Sequence, residues 1–426
     1  MEKYDGPVVI TALGAVSPFG LGAEAVWSAL QQVQRQGMTT LDTIWSALEY
    51  GEWRKETQRP CELPIWGMRI EEESQLVKLL GKRGLQFCRP GTKFLLGASV
   101  LAMQEAGLAN GDTNPDELGI TVGSNLAGIQ SMVDYDFTAI TEGPHYTSPM
   151  EAPNTLTNAP GSHLAIRLKA RALNTTIASG QCAGLDALGY AMKMVHDGRA
   201  RQIVAGGVEE LSPAALWSYF SARALSGGRP ENAGRPFDEE STGWLPSEGA
   251  AVAVLERKED AQARGAHLLA ELAGWSSAFA PSQVSEKRAA VLKRTARQAL
   301  DMAGVSAAQL YVVVSGASGL RSQDQTEALA LRELLVENTH VAVTAIKGTL
   351  GESYGAGGLF QALAAVYMIE HGQVPPTIGG SSAISPVKGL ITEDHAWSGS
   401  KPKTALLLAQ DLFGSTSAIV LRDCHA

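Results

Sequence analysis

The sequence predicts an α/β fold made of two similar halves, and three observations lead to this prediction. Short apolar runs typical of buried strands alternate with stretches whose apolar residues have helical spacing. The alternation restarts after about residue 255, so we divide the chain into an N-terminal half, 1–255, and a C-terminal half, 256–426. No linker or low-complexity tract separates the halves, so they are expected to share one layered core.

The positions of the strands and helices are predicted from the local pattern of apolar and turn residues. The strands are short apolar runs that end at turn residues, beginning with Pro7-Val-Val-Ile, and the helices carry apolar residues three and four apart. The predicted strands are 7–15, 118–123, 174–179, 202–206, 310–314, 341–344, 404–409 and 418–421. The predicted helices are 22–34, 92–107, 183–197, 289–303, 326–335 and 355–370. Residues 36–66, with three scattered tryptophans, have no clear period and are predicted to be an irregular insertion.

The composition excludes several classes of protein. The 426 residues are 45% hydrophobic, which supplies a large core and excludes a disordered chain. Lys and Arg number 35 against 44 Asp and Glu, a net charge of −9, so no general nucleic-acid surface is expected. No apolar run approaches the ~18 residues of a membrane span, and the charged N-terminus is unlike a signal peptide. Four cysteines in so long a chain suggest reduced thiols and a cytoplasmic protein.

The most informative segment is Ile177-Ala-Ser-Gly-Gln-Cys-Ala-Gly-Leu-Asp, where a strand ends, a glycine turn follows and a helix begins. This geometry exposes one side chain at a helix N-terminus, where partial positive charge stabilises an anion, and it is a natural position for a nucleophile. The segment resembles the nucleophile elbow of the β-ketoacyl synthases, thiolase-like condensing enzymes that carry Cys-x-Ser-Gly-Leu-Asp there.

The resemblance extends in order over nearly the whole chain. The further matching segments are Val8-Val-Ile-Thr-Ala-Leu-Gly, Val204-Ala-Gly-Gly-Val-Glu, Arg235-Pro-Phe-Asp, Pro246-Ser-Glu-Gly and Ile346-Lys-Gly-Thr-Leu-Gly. It implies a thiolase-like fold in which two duplicated halves form a five-layered α-β-α-β-α core. The sequence shows no phosphate loop, metal cluster or dinucleotide signature, so no cofactor is expected beyond the phosphopantetheine arm of an acyl carrier protein.

The positions that carry catalysis in the family are altered here. Counting back from Gly184, the nucleophile position holds Gln181, and an amide cannot form an acyl-enzyme. Cys182 stands one residue later, where the sharp turn would direct its side chain away from the pocket, so we interpret it as a small buried residue.

Both histidines of the family are also replaced. The first stands in a His-Gly-Thr-Gly-Thr turn, which here contains Ser315 or Gly316, depending on a one-residue gap. The second follows a Lys-x-x-x-Gly pattern, which here gives Lys347, Gly351 and then Glu352. A carboxylate would repel a malonyl group and could not stabilise an oxyanion. The retained lysine is expected to hydrogen-bond the backbone or pair with Glu352.

One branch of the family fits this pattern. The chain length factors, the β subunits of type II polyketide synthases, carry glutamine at the nucleophile position and pair with a cysteine-bearing ketosynthase α subunit. The resemblance therefore implies a non-catalytic subunit whose partners are that ketosynthase and an acyl carrier protein, with no nucleic acid or membrane partner.

In that branch, one helix directs side chains into the tunnel that receives the growing chain. Here the helix is expected over 127–141. The gate prediction comprises Ile129, Met132, Val133 and Asp136 on one face, with Phe137 beside them. The family often has bulky aromatic residues at three of these positions, so the smaller ones suggest a longer or slimmer product such as a polyene. An ordinary core or interface helix explains the pattern equally well.

Two further features have simpler interpretations. Phe413-Gly414 resembles a loop in which phenylalanine gates acyl entry, although packing alone would explain it. The basic residues around Arg288 resemble a solvated helix face.

Two alternative functions remain. Loading-module ketosynthases also carry glutamine and decarboxylate malonyl thioesters, which would make Gln181 the centre of a starter-unit decarboxylase, but they keep both histidines. A homodimeric ketosynthase using Cys182 would also lack those histidines.

Overall fold

The computed structural model describes residues 3–32, 35, 37–42, 64–71, 73–109, 113–336, 340–380, 387–396 and 403–424. The strands are β1 (Val8–Ser17), β2 (Gly20–Leu21), β3 (Met38–Thr40), β4 (Trp66–Met68), β5 (Leu118–Gly123), β6 (Leu173–Ile177), β7 (Gln202–Glu209), β8 (Gly249–Arg257), β9 (Ala270–Phe279), β10 (Val312–Val314), β11 (Ala342–Thr344), β12 (Gln373–Val374), β13 (His395–Ala396), β14 (Thr404–Gln410) and β15 (Ser415–Arg422). The helices are α1 (Ala23–Gln32), α2 (Ser74–Leu80), α3 (Pro90–Glu105), α4 (Ile129–Thr141), α5 (Ala159–Leu168), α6 (Ala183–His196), α7 (Pro213–Ser221), α8 (Lys258–Ala263), α9 (Ser285–Ala303), α10 (Arg321–Leu334), α11 (Lys347–Leu350) and α12 (Gly357–His371).

The strand order repeats in the two halves. In the N-terminal half the order is β6-β5-β7-β8-β1, and in the C-terminal half it is β11-β10-β14-β15-β9. Each half has three parallel strands followed by two antiparallel ones, and a short antiparallel contact between β1 and β9 joins them. The same order and the same directions in both halves confirm the predicted duplication.

The helices complete five layers. Helices α6 and α12 lie between the two half-sheets, and both contact strands of both halves. Helices α3 and α5 cover the outer face of the N-terminal half-sheet, and α9 and α10 cover that of the C-terminal half-sheet. Each interface has its own apolar cluster, with the largest around the central helices. The predicted α-β-α-β-α core is therefore confirmed.

The two central helices meet at glycines. A Cβ atom at Gly184 would lie 3.0 Å from the Cα of Gly358, and one at Gly358 would lie 2.4 Å from the backbone nitrogen of Leu185. No side chain fits such a backbone approach. The turns that precede α6 and α12 consequently lie side by side, and this brings the candidate site together.

The sequence prediction missed two central strands, β8 and β9. Strand β8 is rich in alanine, and β9 is interrupted by Gly274, so neither shows the β-branched run that favours a strand. Helices α9 and α10 also begin four and five residues earlier than the predicted 289 and 326.

The predicted insertion 36–66 lies largely outside the described residues. Its described ends are not irregular, because β3 and β4 form an antiparallel pair. In the part of the chain that the structure describes, no helix has the length and apolar character needed to cross a membrane.

Candidate functional site

The turn that carries Gln181 joins β6 to α6. Residues Gly180–Cys182 form one 3-10 turn, and Gly180 adopts a left-handed φ of +66°. The Asn125 side chain holds this turn from the loop after β5: its Oδ1 accepts from the Gly180 N–H at 2.8 Å and its Nδ2 donates to the Gly180 carbonyl at 3.0 Å. The turn therefore has fixed geometry, with Gln181 only 1% exposed.

Both ends of the Gln181 amide are occupied by neighbouring side chains. Its Nε2 donates to Glu352 Oε2 at 2.6 Å, and its Oε1 accepts from Gln323 Nε2 at 2.7 Å. The same Glu352 oxygen lies 2.8 Å from Lys347 Nζ, so of the two expected interactions of this lysine the structure has the pair with Glu352. The backbone N–H of Tyr354 donates to the other Glu352 oxygen at 2.8 Å. Three of the sequence-predicted residues are thus in direct contact.

Ser315 and Gly316 form a second cluster around a buried carboxyl group. The Ser315 hydroxyl donates to Glu327 Oε1 at 2.6 Å, and the Gly316 N–H donates to the same oxygen at 3.0 Å. Burial raises the pKa of Glu327. Gln410 connects this cluster to the first, because its Nε2 donates to the Gln323 carbonyl at 2.7 Å and lies 3.4 Å from Glu327 Oε2.

Asp411 is the site residue that sequence reasoning missed most completely. Its Oδ1 accepts a hydrogen bond from the backbone N–H of Gln181 at 3.1 Å, and its Oδ2 accepts from the Phe413 N–H at 2.9 Å. Gln323 and Gln410 were missed as well.

Cys182 lies in the central apolar cluster between the half-sheets and is fully buried. Burial, with the nearby carboxylates of Asp186 and Asp411, raises the pKa of this thiol well above its usual range. A protonated, enclosed thiol is a poor nucleophile, in agreement with its interpretation as a small core residue.

Two more buried carboxyl groups hold loops around the site. Glu209 accepts from the backbone N–H groups of Asn125, Leu126 and Gly355, yet burial raises its pKa to about 7. Asp324 accepts backbone hydrogen bonds beside the Ser315 turn, and burial likewise raises its pKa to about 7.

The hydrogen-bonding partners of Gln181, Lys347 and Glu352 among the described residues are amides, charged groups and backbone, and none is a histidine. The pocket holds an amide, an ammonium and several carboxyl groups, most of them already paired. Among the described residues, the groups bonded to Gln181, Lys347 and Glu352 include neither a thiolate nor an imidazole.

The family follows from comparison with known proteins. Residues 5–261 match the β-ketoacyl synthase N-terminal domain, and residues 269–381 match the β-ketoacyl synthase C-terminal domain. The chain belongs to the β-ketoacyl synthase family.

Its relatives include 3-oxoacyl-[acyl-carrier-protein] synthases and polyketide beta-ketoacyl synthases. The chain is 30% identical to the "actinorhodin polyketide putative beta-ketoacyl synthase 2" of Streptomyces coelicolor, over 97% of this chain and 98% of that protein. It is 29% identical to the 3-oxoacyl-[acyl-carrier-protein] synthase 2 of Synechocystis, over 87% of each.

Solved structures of this family superpose over nearly the whole chain. One is a type II polyketide synthase acyl carrier protein in complex with its ketosynthase bound to the hexaketide, with a TM-score of 0.81, 25% identity and coverage of 98% of this chain and 99% of that one. Another is the ishigamide ketosynthase/chain length factor, with a TM-score of 0.82, 23% identity and the same coverage. The ishigamide ketosynthase/chain length factor thus has the same fold as this chain.

Helix α4 of this synthase-family chain carries the predicted gate residues. Its inner side is fixed by Gln130, whose Oε1 accepts from the Ala214 N–H at 3.0 Å. Ile129 and Val133 are half-buried, Ile129 against an apolar cluster near Trp217. The exposed gate residues are Met132, Asp136 and Phe137. The gate set thus comprises half-buried residues at the edge of the apolar core and side chains that are exposed among the residues the structure describes.

Two interpretations from sequence require correction. Packing does not explain Phe413, because its side chain is 67% exposed, and Gly414 follows it with a φ of +114°. Arg288 is not on a solvated face: it is buried, and its guanidinium donates to the backbone carbonyls of Asp411 and Leu412.

Proposed function

We propose that this chain is a non-catalytic, chain-length-determining subunit of a type II polyketide synthase. In this proposal it pairs with a cysteine-bearing ketosynthase α subunit, and the pair extends a polyketide on an acyl carrier protein. The partner performs the condensation, and this chain shapes the tunnel for the product.

The contact between Gln181 and Glu352 carries the proposal. A condensing site needs a thiolate to accept the acyl group and electrophilic groups to stabilise the enolate of the extender. Here an amide stands at the nucleophile position and donates to a buried carboxylate at 2.6 Å. Lys347, the cation of this group, is already paired with that carboxylate. The chemistry of condensation therefore has to come from another chain.

The exposed residues of the chain segment that connects β5 to β6 support an obligate partner. Large apolar side chains are exposed there, and Ile140 is the most exposed at 83%. The others are Met132, Phe137, Tyr146, Met150, Leu156 and Ile166. Strand β6 lies at the edge of the sheet, with one side of its backbone unpaired among the described strands. Exposed apolar surface beside an open sheet edge is typical of a surface that another chain covers.

The gate belongs to the same surface. Met132 and Phe137 are exposed beside the half-buried Ile129 and Val133, so a partner seated here would close a tunnel against them. The actinorhodin relative and the ishigamide ketosynthase/chain length factor both carry names from polyketide biosynthesis, which supports the same role.

The test is co-expression with the ketosynthase encoded beside this chain. The complex is analysed by size-exclusion chromatography with mass determination, and each subunit and the pair are assayed with malonyl carrier protein. We expect a one-to-one complex that makes chains from subunits that are inactive alone. Carbon dioxide release by this subunit alone, abolished by Gln181→Ala, would overturn the proposal in favour of a starter-unit decarboxylase.

A further inference from the structure

The carboxylate of Asp411 accepts a hydrogen bond from the backbone N–H of Gln181. We propose that Asp411 is an internal lock, which occupies the backbone N–H of Gln181 and so excludes thioesters from this pocket. The inference rests on the proposed function and deepens it, because it names a second reason, beyond the missing thiol, why the site does not accept acyl chains.

The occupied donor is well placed to polarise a carbonyl. The Gln181 N–H lies at the turn that opens α6, and such N–H groups stabilise the developing negative charge of an attacked carbonyl oxygen. Here Asp411 Oδ1 accepts this hydrogen bond at 3.1 Å. A carboxylate is a stronger acceptor than a thioester oxygen, so an incoming acyl group would have to displace it.

The turn is shaped around that carboxylate. A Cβ atom at Gly180 would lie 1.8 Å from Asp411 Oδ1, and the left-handed φ of +66° at Gly180 independently favours glycine. The absence of a side chain at Gly180 is thus what gives the carboxylate its place beside Gln181.

Several groups hold Asp411 in this position. The Phe413 N–H donates to its second oxygen at 2.9 Å. The backbone N–H of Asp411 donates to the Ser415 carbonyl at 2.8 Å, so this donor is occupied too. The buried guanidinium of Arg288 fixes the Asp411 carbonyl from the other side. The lock is therefore part of the rigid core of the site.

Electrostatics adds to the exclusion. Asp411 and Glu352 both contact Gln181, one through its backbone and the other through its side chain. Lys347 is paired with Glu352, and the cation next to Asp411 is Arg288, which donates to the Asp411 carbonyl. Acyl groups that end in a carboxylate, such as malonyl, would meet like charge here.

The experiment introduces a thiol and then removes the lock. The variants are Gln181→Cys alone, Gln181→Cys with Asp411→Asn, and Gln181→Cys with Asp411→Ala. Two probes are used: iodoacetamide, with the labelled residue identified by peptide mass, and hexanoyl-pantetheine, with acylation followed by intact mass. In acylation, the introduced thiolate bonds to the carbonyl carbon, the bond to pantetheine sulfur breaks, and pantetheine leaves as a thiolate that takes a proton from water.

The two Asp411 variants separate charge from hydrogen bonding. Both remove the negative charge, so alkylation at pH 8 is expected to rise about tenfold over Gln181→Cys alone, as for a thiol pKa lowered by about one unit. Only Asp411→Ala frees the N–H, so only that variant is expected to gain at least tenfold in acylation. Equal alkylation in all three variants, or equal acylation with Asp411→Asn and Asp411→Ala, would overturn the lock.

A second measurement uses the natural Gln181 and the conservative variant. Asp411→Asn keeps an acceptor for the Gln181 N–H, whereas Asp411→Ala does not, so hydrogen exchange in a peptide covering this turn should be faster only in Asp411→Ala. Equal exchange in both, with the rest of the chain protected as in wild type, would also overturn the lock. A decarboxylating wild-type subunit would instead refute the proposed function and leave these variant comparisons unaffected.

Discussion

The Lys347 ammonium lies 2.8 Å from Glu352 Oε2, and both side chains are almost fully buried. The amide of Gln181 donates to the same carboxylate oxygen, so the amide, the carboxylate and the ammonium form one closed, mutually satisfied group. A group whose members satisfy one another is stable without a ligand, and it has little hydrogen-bonding capacity left for a substrate.

Breaking this ion pair should be costly. Lys347→Met leaves a buried carboxylate without its cation, and we expect a loss of about 3–5 kcal/mol in the free energy of unfolding. Adding Glu352→Gln removes the stranded charge, so the double variant should regain much of the loss. Urea denaturation and Tm measure both effects. The control is Lys193→Met in the exposed Lys193–Asp197 pair, which should barely change Tm. Additive losses in the double variant would contradict the coupling.

Cys182 should be unreactive in the folded protein. Its thiol is fully buried and its pKa is raised well above the usual range, so little thiolate is present at pH 8. Iodoacetamide should leave the peptide that contains Cys182 unmodified until the protein is denatured, as judged by peptide mass mapping. Labelling of Cys182 in the native protein would revive the homodimeric ketosynthase that uses this residue.

Stability should fall with rising pH in a window set in part by Glu209. Burial raises the pKa of its carboxyl from 4.5 to about 7, so between these values the folded chain keeps a proton that the unfolded chain has lost. The contribution of Glu209 is therefore greatest below pH 4.5 and is lost as the pH rises to about 7, by up to ~1.4 kcal/mol per pH unit.

The variant Glu209→Gln removes this titration. The free energy of unfolding should then depend less steeply on pH between 4.5 and about 7, measured by urea denaturation across that range. Glu142→Gln, at an exposed helix end, is the control and should keep the wild-type slope. An unchanged slope in Glu209→Gln would show that this group does not titrate in the window.

The gate prediction concerns the length of the product. Met132→Trp and Ile129→Trp add bulk on the α4 face that borders the proposed partner surface, so the reconstituted pair should make shorter chains, detected by mass spectrometry of the products. Glu142→Trp adds the same bulk at the exposed end of the helix and should not change chain length. Unchanged products with both gate variants would make α4 an ordinary interface helix.

The fit between Gly180 and Asp411 can be measured as stability. Gly107→Ala introduces left-handed strain of ~1–2 kcal/mol with no atom within 4 Å of the new Cβ. Gly180 has a similar φ, but the Cβ of an alanine there would also meet Asp411 Oδ1. The Tm of Gly180→Ala should therefore fall further than that of Gly107→Ala. Adding Asp411→Ala to Gly180→Ala should remove the additional loss of Tm. Equal Tm values for Gly180→Ala and Gly107→Ala would mean that the carboxylate moves aside without cost.

Much of the fold was accessible from the sequence because its signals are local. Strand–helix alternation gave the α/β class, and the Gly-Gln-Cys turn before α6 lies where the pattern placed it. Strands β8 and β9 were missed because their small residues carry no period that distinguishes a strand from a helix. They became strands because both faces of the sheet are covered by helices, which is a property of the whole fold.

The candidate site likewise has features that the sequence determines and features that depend on the tertiary structure. The sequence by itself determined which groups are present: an amide at Gln181, a carboxylate at Glu352, and a lysine five residues before that carboxylate. Only the tertiary structure decided that Asp411, which is 230 residues away in the chain, contacts Gln181. The same is true of Gln323, which is 142 residues from Gln181 and donates to its side chain. The physical reason is that contact and burial are set by how α6 and α12 pack. Their close approach at Gly184 and Gly358 joins distant groups and shifts the titration of the buried carboxyls around them.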